Sequence, residues 1–384
     1  MMKKEWIYKN FKGDPIIWFV AFSLSVLSIL VVYSATGSLA YKFRAGNTEH
    51  YLFKHTMLVG LSFFAMWFAH RIDYRYYSTL SRLALWLSVP LLFITWKFGV
   101  DYNQATRSIE IPFINQAFQP SDLAKLALIA SLASMLSKRQ QRIGDLKETL
   151  IPMLIWCGLI CGLIAMTNFS NAALLLATCM LILFIGRVPV KYLVMLVFVG
   201  VLAGSIAFSF GQRGATVVQR VEDFINPKEI PFQAKQSFIA IASGGVLGKG
   251  PGLSKQRNIL PNSYDDFIYA IIIEEYGLAG GGSVVLLYLI LLYRGMRIAA
   301  KSDRAFGGLL AAGLSFAIVL QAVINMAVVV GLGPITGLPL PMVSMGGTSL
   351  LFTGISLGII LSVSRHTENE QNFDIGKNSV AKAA

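Results

Sequence analysis

An all-α, polytopic membrane protein is the fold class that this sequence predicts, on three observations: its composition, the length of its apolar runs and the placement of its cations. Hydrophobic residues make up 55% of the 384 and charged residues only 14%, with a mean hydropathy of +0.62. That balance lies outside the range of soluble domains. A helix needs roughly 20 mostly apolar residues to cross a bilayer, and about ten stretches come close. They lie near 16 to 36, 54 to 69, 78 to 96, 121 to 137, 149 to 167, 171 to 186, 190 to 210, 267 to 293, 306 to 331 and 343 to 363.

The cations test that count, because cytoplasmic loops are enriched in lysine and arginine. With ten spans they fall on one side: Lys3, Lys4, Lys9 and Lys12, then Arg71 and Arg75, then "SKRQQRIGDLK" at 137 to 147, Arg187 with Lys191, "RGMRIAAKSDR" at 294 to 304, and the tail from Arg365. Both termini are therefore expected in the cytoplasm, with a flexible tail over about 366 to 384. The formal charge of +13 reads as an orientation signal and an attraction to anionic lipid, not as nucleic-acid binding. The first apolar run lacks a small-residue cleavage site and continues as a full span, so it reads as an uncleaved anchor.

Cys157 and Cys161 share a helix face, but with no histidine or carboxylate nearby they and Cys179 read as small packing residues. The Asn168-Phe169-Ser170 sequon lies too close to hydrocarbon to accept a glycan. Function is expected in two long outer segments, 97 to 120 and about 211 to 264, the latter between the seventh and eighth spans. The second holds "FGQRGATVVQRVEDFINP", the periodic "AKQSFIAIASGG" that fits an interfacial helix, and the glycine-rich "GGVLGKGPGLSK". The last departs from a nucleotide-binding loop, since Gly248-Lys249 is followed by Gly250 rather than Ser or Thr. Its glycines suit either close approach to an anionic or sugar ligand or a flexible connector.

Four acids sit in the apolar run "NSYDDFIYAIIIEEYG", residues 262 to 277. On a continuous helix Asp266 and Glu275 would be ~13 Å apart along the axis and on opposite faces, too far for the paired carboxylates of a glycosidase. They are therefore expected to act separately. Asp265 and Asp266 sit where the outer loop meets the membrane. Glu274 and Glu275, deeper, must face protein or a wet cavity. A carboxylate beside a loop carrying Arg213, Arg220, Lys228, Lys235, Lys249, Lys255 and Arg257 suits acid–base chemistry on an anionic, lipid-borne substrate. Capping of the following helix explains the aspartates equally well. In "FQPSDLAK", 118 to 125, Asp122 and Lys125 can pair across one helical turn, either to pin a helix entrance or to meet substrate. "GPITGLPLPMVSMGGTS", 333 to 349, is broken by prolines and glycines between two spans and reads as a sheltered re-entrant loop.

These places together resemble the SEDS family of bacterial membrane proteins, the FtsW and RodA proteins, over nearly the whole chain. "RSIEIPFINQAFQPSDLAKLAL" is similar to the family's R-W-I…Q-P-S-E-(x)2-K signature and "QRVEDFINP" to its R-(x)4-F-x-N-P. The stretch from "QSFIAIASGG" to "DDFIYAIIIEEYG" resembles its long outer motif, and "INMAVVVGLGPITGLPLPMVSMGGTSLL" its final block. Asp122 stands where the family often has Glu, Ser108 for Trp, Met345 for an aromatic and Thr348 for Ser. Asn168 in "TNFSNA" replaces a carboxylate of a P-D-F-G-T-like motif, so no role carries over there. "VVYSATGSLAY" and the paired aspartates are closer to division-type FtsW than to elongation-type RodA.

The resemblance implies a single transmembrane domain, 1 to 384, acting as a peptidoglycan glycosyltransferase. Such an enzyme polymerises lipid II at the outer face of the inner membrane, alongside a class B penicillin-binding protein and other divisome or elongasome proteins. It places the essential aspartate at Asp266. The expected substrate-binding set is Arg107, Lys125, Arg220, Lys249, Glu275, Gln119 and Ser344, with Lys125 and Glu275 shaping the cavity. No cofactor is expected beyond a divalent cation, Mg2+ or Mn2+, and no metal ligands are assigned. Two other classes compete. A lipid II flippase would move fluorescent lipid II across vesicles without making glycan. A non-catalytic divisome scaffold would tolerate replacement of Asp266.

Overall fold

A computed structural model of the chain describes residues 11–37, 48–102, 105–111, 116–143, 145–210, 214–225 and 230–383. The first helix, α1 (Pro15–Ala35), starts where Asp14 accepts the Ile16 amide at 2.9 Å and proline takes the first turn, the arrangement that satisfies an orphan N–H and presets φ. Asp14 also pairs with Arg294 at 2.5 Å. Next come α2 (Thr48–Arg71), a short 3-10 turn at Tyr74–Tyr76, and α3 (Tyr77–Phe98).

The expected outer segment 97 to 120 departs from an all-helical fold. Strands β1 (Val100–Tyr102), β2 (Ala105–Ile111) and β3 (Gln116–Phe118) form a small antiparallel sheet in the order β1-β2-β3. Asp101 pairs with Thr106 and Glu110 with Ala117. The cause is local: Val100, Thr106, Ile109 and Ile111 are β-branched, and Ile109 and Ile111 alternate with Ser108 and Glu110, a short period-two pattern that a membrane-oriented reading passes over.

Then follow α4 (Pro120–Lys138), α5 (Ile151–Thr167), α6 (Phe169–Ile185), α7 (Val190–Phe210), α8 (Gly214–Ile225), α9 (Phe232–Gly244), α10 (Ile268–Lys301), α11 (Ala305–Val329) and α12 (Thr348–Ala383). Among the described residues seven helices are long and apolar enough to cross a membrane, and α6 and the first part of α7 are shorter apolar helices. The chain is thus a multi-pass, mainly helical membrane protein. Asn168 marks the expected break between α5 and α6, its side chain accepting the Asn171 amide at 3.2 Å. The segment from 366 onward, expected as a flexible tail, continues α12 as helix to Ala383. It holds no proline to stop it.

Helix α11 and the span of α12 are the most enclosed, and α11 packs on α4, α6, α10 and α12. The tightest pairing joins α12 to α2 through "GISLG". A Cβ at Gly354 would lie 2.4 Å from the Ser62 carbonyl oxygen, and one at Gly358 2.4 Å from that of Met66. Small residues four apart let two membrane helices meet backbone to backbone. Ser62 then donates to the Leu350 carbonyl at 2.6 Å and Ser362 to that of Ile72 at 2.5 Å. Because the obstructing atoms are main chain, Gly358→Val should cost about 1–3 kcal/mol, read as a lower thermal unfolding midpoint in detergent. An unchanged midpoint would show that the helix pair has slack.

Candidate functional site

Asp265 and Asp266 lie in the turn that enters α10, both half-buried. The helix begins at Ile268, and its capping position belongs to Phe267, which makes no side-chain cap. The capping explanation for the aspartates therefore falls away. Three clamps hold the turn from outside. Asn325 of α11 donates through Nδ2 to the carbonyl of Asp266 at 2.8 Å and to that of Leu338 at 2.7 Å. Ser344 Oγ donates to the Asp265 carbonyl at 2.5 Å, and the Met345 amide to the Tyr264 carbonyl at 2.9 Å. Each of these clamps ends on a main-chain oxygen.

The segment expected as a re-entrant loop, 333 to 349, supplies most of these contacts and is itself tied together. Ser344 Oγ accepts the Leu340 amide at 2.8 Å, Gln321 donates to the Pro339 carbonyl at 2.9 Å, and Tyr288 donates to the Pro341 carbonyl. Ser344, expected to bind substrate, is instead a buried latch between this loop and the aspartate turn. Arg220, on α8, reaches the same loop and donates through Nη1 to the Ile335 carbonyl at 3.1 Å. Arg220 and Asp266 are thereby fastened to opposite ends of one short stretch, 335 to 338. Beside Arg220 opens a cavity of about 220 Å³ whose walls include Phe224, Phe238, Val328 and Ile335. One guanidinium thus faces a largely apolar trough.

The two glutamates occupy the break in α10. Gly277 has φ 70° and ψ −172°, outside helical values, a conformation open chiefly to glycine. The glycine-rich loop docks onto that interruption: Lys249 and Gly250 amides donate to the carbonyls of Glu274 at 3.0 Å and Glu275 at 2.9 Å, and Leu278 and Ala279 amides donate to those of Gly245 and Val246. A Cβ at Gly248 would stand 2.2 Å from the Glu275 carbonyl oxygen. These glycines permit close approach, as one of the two sequence readings held, but what they approach is α10 itself. The alternative of a flexible connector is set aside.

Both carboxylates are buried, at 0% and 1% exposure, and they organise this loop. Glu274 pairs with Lys249 at 2.5 Å and accepts from the Ser254 hydroxyl and from the amides of Lys255 and Gln256, each at 3.2 Å. Glu275 accepts from Ser34 on α1, whose hydroxyl in turn takes a hydrogen bond from Arg257 at 2.9 Å. Lys249 was expected to meet substrate. Its ammonium is instead engaged by Glu274 and by Ser243 at 2.7 Å, so its charge goes to holding the loop. Helix α9, expected at the interface, packs along α10 with Ser237, Ala240 and Gly244 buried.

The Asp122–Lys125 pair forms as the spacing predicts, at 2.8 Å and nearly buried. It lines a small cavity, about 60 Å³, with Gln321, Pro341, Thr353 and Ser356. Gln119 precedes α4, where its amide donates to Thr348 Oγ1 at 3.1 Å and its side chain to Ser121 at 2.9 Å, tying the entrances of α4 and α12. Arg107 falls in β2, and its side chain lies outside the described residues, as do Arg213 and Lys228 altogether. Sequence reasoning missed Asn325, Ser34 and Ser254. An asparagine inside an apolar span is the signal that could have found the first.

Glu274 is enclosed while Lys249 is 29% exposed, so removing the ammonium leaves a buried charge uncompensated at less than the cost of breaking a fully buried pair. Lys249→Met should therefore free the loop and speed trypsin cleavage after Lys255 and Arg257 in the detergent-solubilised protein. The double variant Lys249→Met, Glu274→Gln should recover part of the protection. Equal cleavage rates in wild type and single variant would contradict the pinning.

Comparison with known proteins agrees with this architecture. Stage V sporulation protein E of Bacillus subtilis is 31% identical over 366 residues, 94% of this chain and 99% of that protein. The probable peptidoglycan glycosyltransferase FtsW of Geobacter sulfurreducens is 33% identical over 91% of this chain and 95% of its own. Among solved structures, a chain of a peptidoglycan synthase complex coordinating polymerization and crosslinking superposes with a TM-score of 0.72, covering 92% of this chain and 98% of that one at 22% identity. The rod shape determining protein RodA of Thermus thermophilus gives 0.66, covering 92% and 97% at 22% identity. The family described as cell cycle protein, FtsW/RodA/SpoVE, matches residues 14–369, and the chain belongs to it.

Proposed function

We propose that this chain is a peptidoglycan glycosyltransferase that polymerises lipid II into β-1,4 glycan strands at the outer face of the bacterial inner membrane. Family membership and the names of the relatives support the activity. The observation that carries it is the Asp265–Asp266 turn, held by main-chain clamps at the mouth of α10 and joined through residues 335 to 338 to Arg220. The arrangement goes with one transmembrane domain of ten spans, both termini cytoplasmic, and with the segment 211 to 264 outside.

Asp266 acts as general base. It takes the proton from the 4-hydroxyl of the acceptor N-acetylglucosamine while that oxygen attacks the anomeric carbon of the lipid-linked N-acetylmuramic donor. The bond from that carbon to the pyrophosphate oxygen breaks, and the polyprenyl pyrophosphate leaves with the electron pair. An α-linked donor becomes a β-linked product with no covalent enzyme intermediate. Arg220 meets the negative charge gained by the leaving group, and the apolar trough beside it receives the first part of the polyprenyl chain. Arg107, at the sheet, is the second cation of this reading. Lys125, Glu275 and Lys249 keep the cavity in shape, while Gln119 and Ser344 hold its edges.

Among the described residues no three His, Cys, Asp or Glu side chains gather, so these residues build no all-protein metal cage. A divalent cation, Mg2+ or Mn2+, would bind through at most one or two carboxylates with the substrate phosphates, and Asp265 is the carboxylate beside the base that would hold it. Such an ion would supply charge neutralisation. The fold's likeness to a chain of a complex that couples polymerization to crosslinking supports a class B penicillin-binding protein as partner. The FtsW and sporulation relatives support a septal or sporulation role over elongation.

Asp266→Asn and Asp266→Ala should abolish polymerisation of purified lipid II, scored by gel with the partner present. Near-normal glycan synthesis would remove Asp266 from the chemistry. Arg220→Ala should slow the rate by about 10²-fold, the scale for losing one charge-stabilising donor, with Arg220→Lys recovering part. An unchanged rate would place the leaving group elsewhere.

A further inference from the structure

A second polar cavity, of about 370 Å³, opens at the ends of α3 and α4 that lie away from the sheet. The same end of the bundle carries Arg71 and Arg75, which by the distribution of cations is the cytoplasmic side. Arg82, Lys138 and Arg139 line the cavity with Ser131, Trp86 and Trp156, and among the described lining residues none is a carboxylate. Two polar atoms there have no hydrogen-bond partner among the described residues: Oγ of Ser131, a residue only 6% exposed, and the buried Nη1 of Arg139. A buried donor left unmet costs about 1–3 kcal/mol, so the cavity is built for a group that accepts hydrogen bonds. Three cations require that group to be an anion.

The walls say where the anion comes from. Trp86 and Trp156 meet edge to face at 4.9 Å between ring centroids, and tryptophans favour the headgroup layer. From them the exposed side chains of Leu83 and Leu87 on α3, and of Ile155 and Leu159 on α5, continue along the lipid-facing surface. A free phosphate would satisfy the cations and leave this apolar run unused. The geometry points to a binding site for an anionic phospholipid. Its phosphodiester is held by Arg82, Lys138, Arg139 and Ser131, and its acyl chains lie along α3 and α5. Basic pockets between membrane helices on this face take such headgroups. The bound lipid ties α3, α4 and α5 together at the end of α4 opposite the Asp122–Lys125 pair. This site is independent of the glycosyltransferase reading.

The test uses the full chain in nanodiscs of phosphatidylcholine and phosphatidylglycerol in equal parts, released for native mass spectrometry. Wild type should retain phosphatidylglycerol in preference to phosphatidylcholine. Each cation near an anionic headgroup contributes roughly fivefold. Arg82→Gln, a change at an exposed residue that leaves the fold intact, should weaken retention about fivefold, and Arg82→Gln with Arg139→Gln roughly thirtyfold. Arg82→Lys with Arg139→Lys should keep most of it. Excess inorganic phosphate should not displace the lipid. Equal retention by wild type and Arg82→Gln, or equal retention of the two lipids by wild type, would overturn the site. Displacement by inorganic phosphate alone would overturn the lipid as its occupant.

Discussion

The glycine-rich loop and the break in α10 depend on two carboxyl groups placed where water cannot reach them. Glu274 and Glu275 are fully enclosed, and an enclosed carboxylate is tolerated only when donors converge on it. Here the donors come from the loop, α9 and α1: Lys249, Ser254, the amides of Lys255 and Gln256 and Ser243 on the first glutamate, Ser34 and the Ser254 amide on the second. Taking any donor away exposes the cost of the charge, so the loop is held by the penalty for leaving as much as by the attraction of staying. The interruption of α10 at Gly277 adds main-chain donors and acceptors that the loop alone is placed to satisfy.

The aspartate turn is held on different terms. Its clamps from Asn325, Ser344 and Met345 all end on carbonyl oxygens, which every residue type possesses. The backbone of Asp266 is thus held by neighbouring residues through its carbonyl. Those clamps remain available when the Asp266 side chain is replaced. Ser344 is the reverse: its hydroxyl both donates to Asp265 and accepts from Leu340, so its loss would move the turn.

Much of this was legible from residue order. The membrane class, the helix break at Asn168, the Asp122–Lys125 pair, the buried setting of both glutamates and an irregular segment before α12 each follow from a local rule of period, spacing or solvation. The sheet at 100 to 118 was not read, because β-branched alternation is a weak signal beside ten strong apolar runs. Nor were the partners of Lys249 and Ser344. Each is a contact between segments far apart in the chain, and sequence spacing carries no information on which carboxylate a loop lysine will meet. The glycines show the same limit: pattern left a close approach to an anionic or sugar ligand and a flexible connector equally open, and Gly248 instead lies against the backbone of α10.

The bond between Ser34 and Glu275 joins residues 241 positions apart. A ribosome feeding this chain into the membrane delivers α1 first and α10 long afterwards, so the end of the first helix waits through most of synthesis for its counterpart. The outer pocket is thus completed late in biogenesis, after the eighth apolar segment has been inserted. Truncated or stalled chains would already be anchored in the bilayer, yet would lack the tie between α1 and α10.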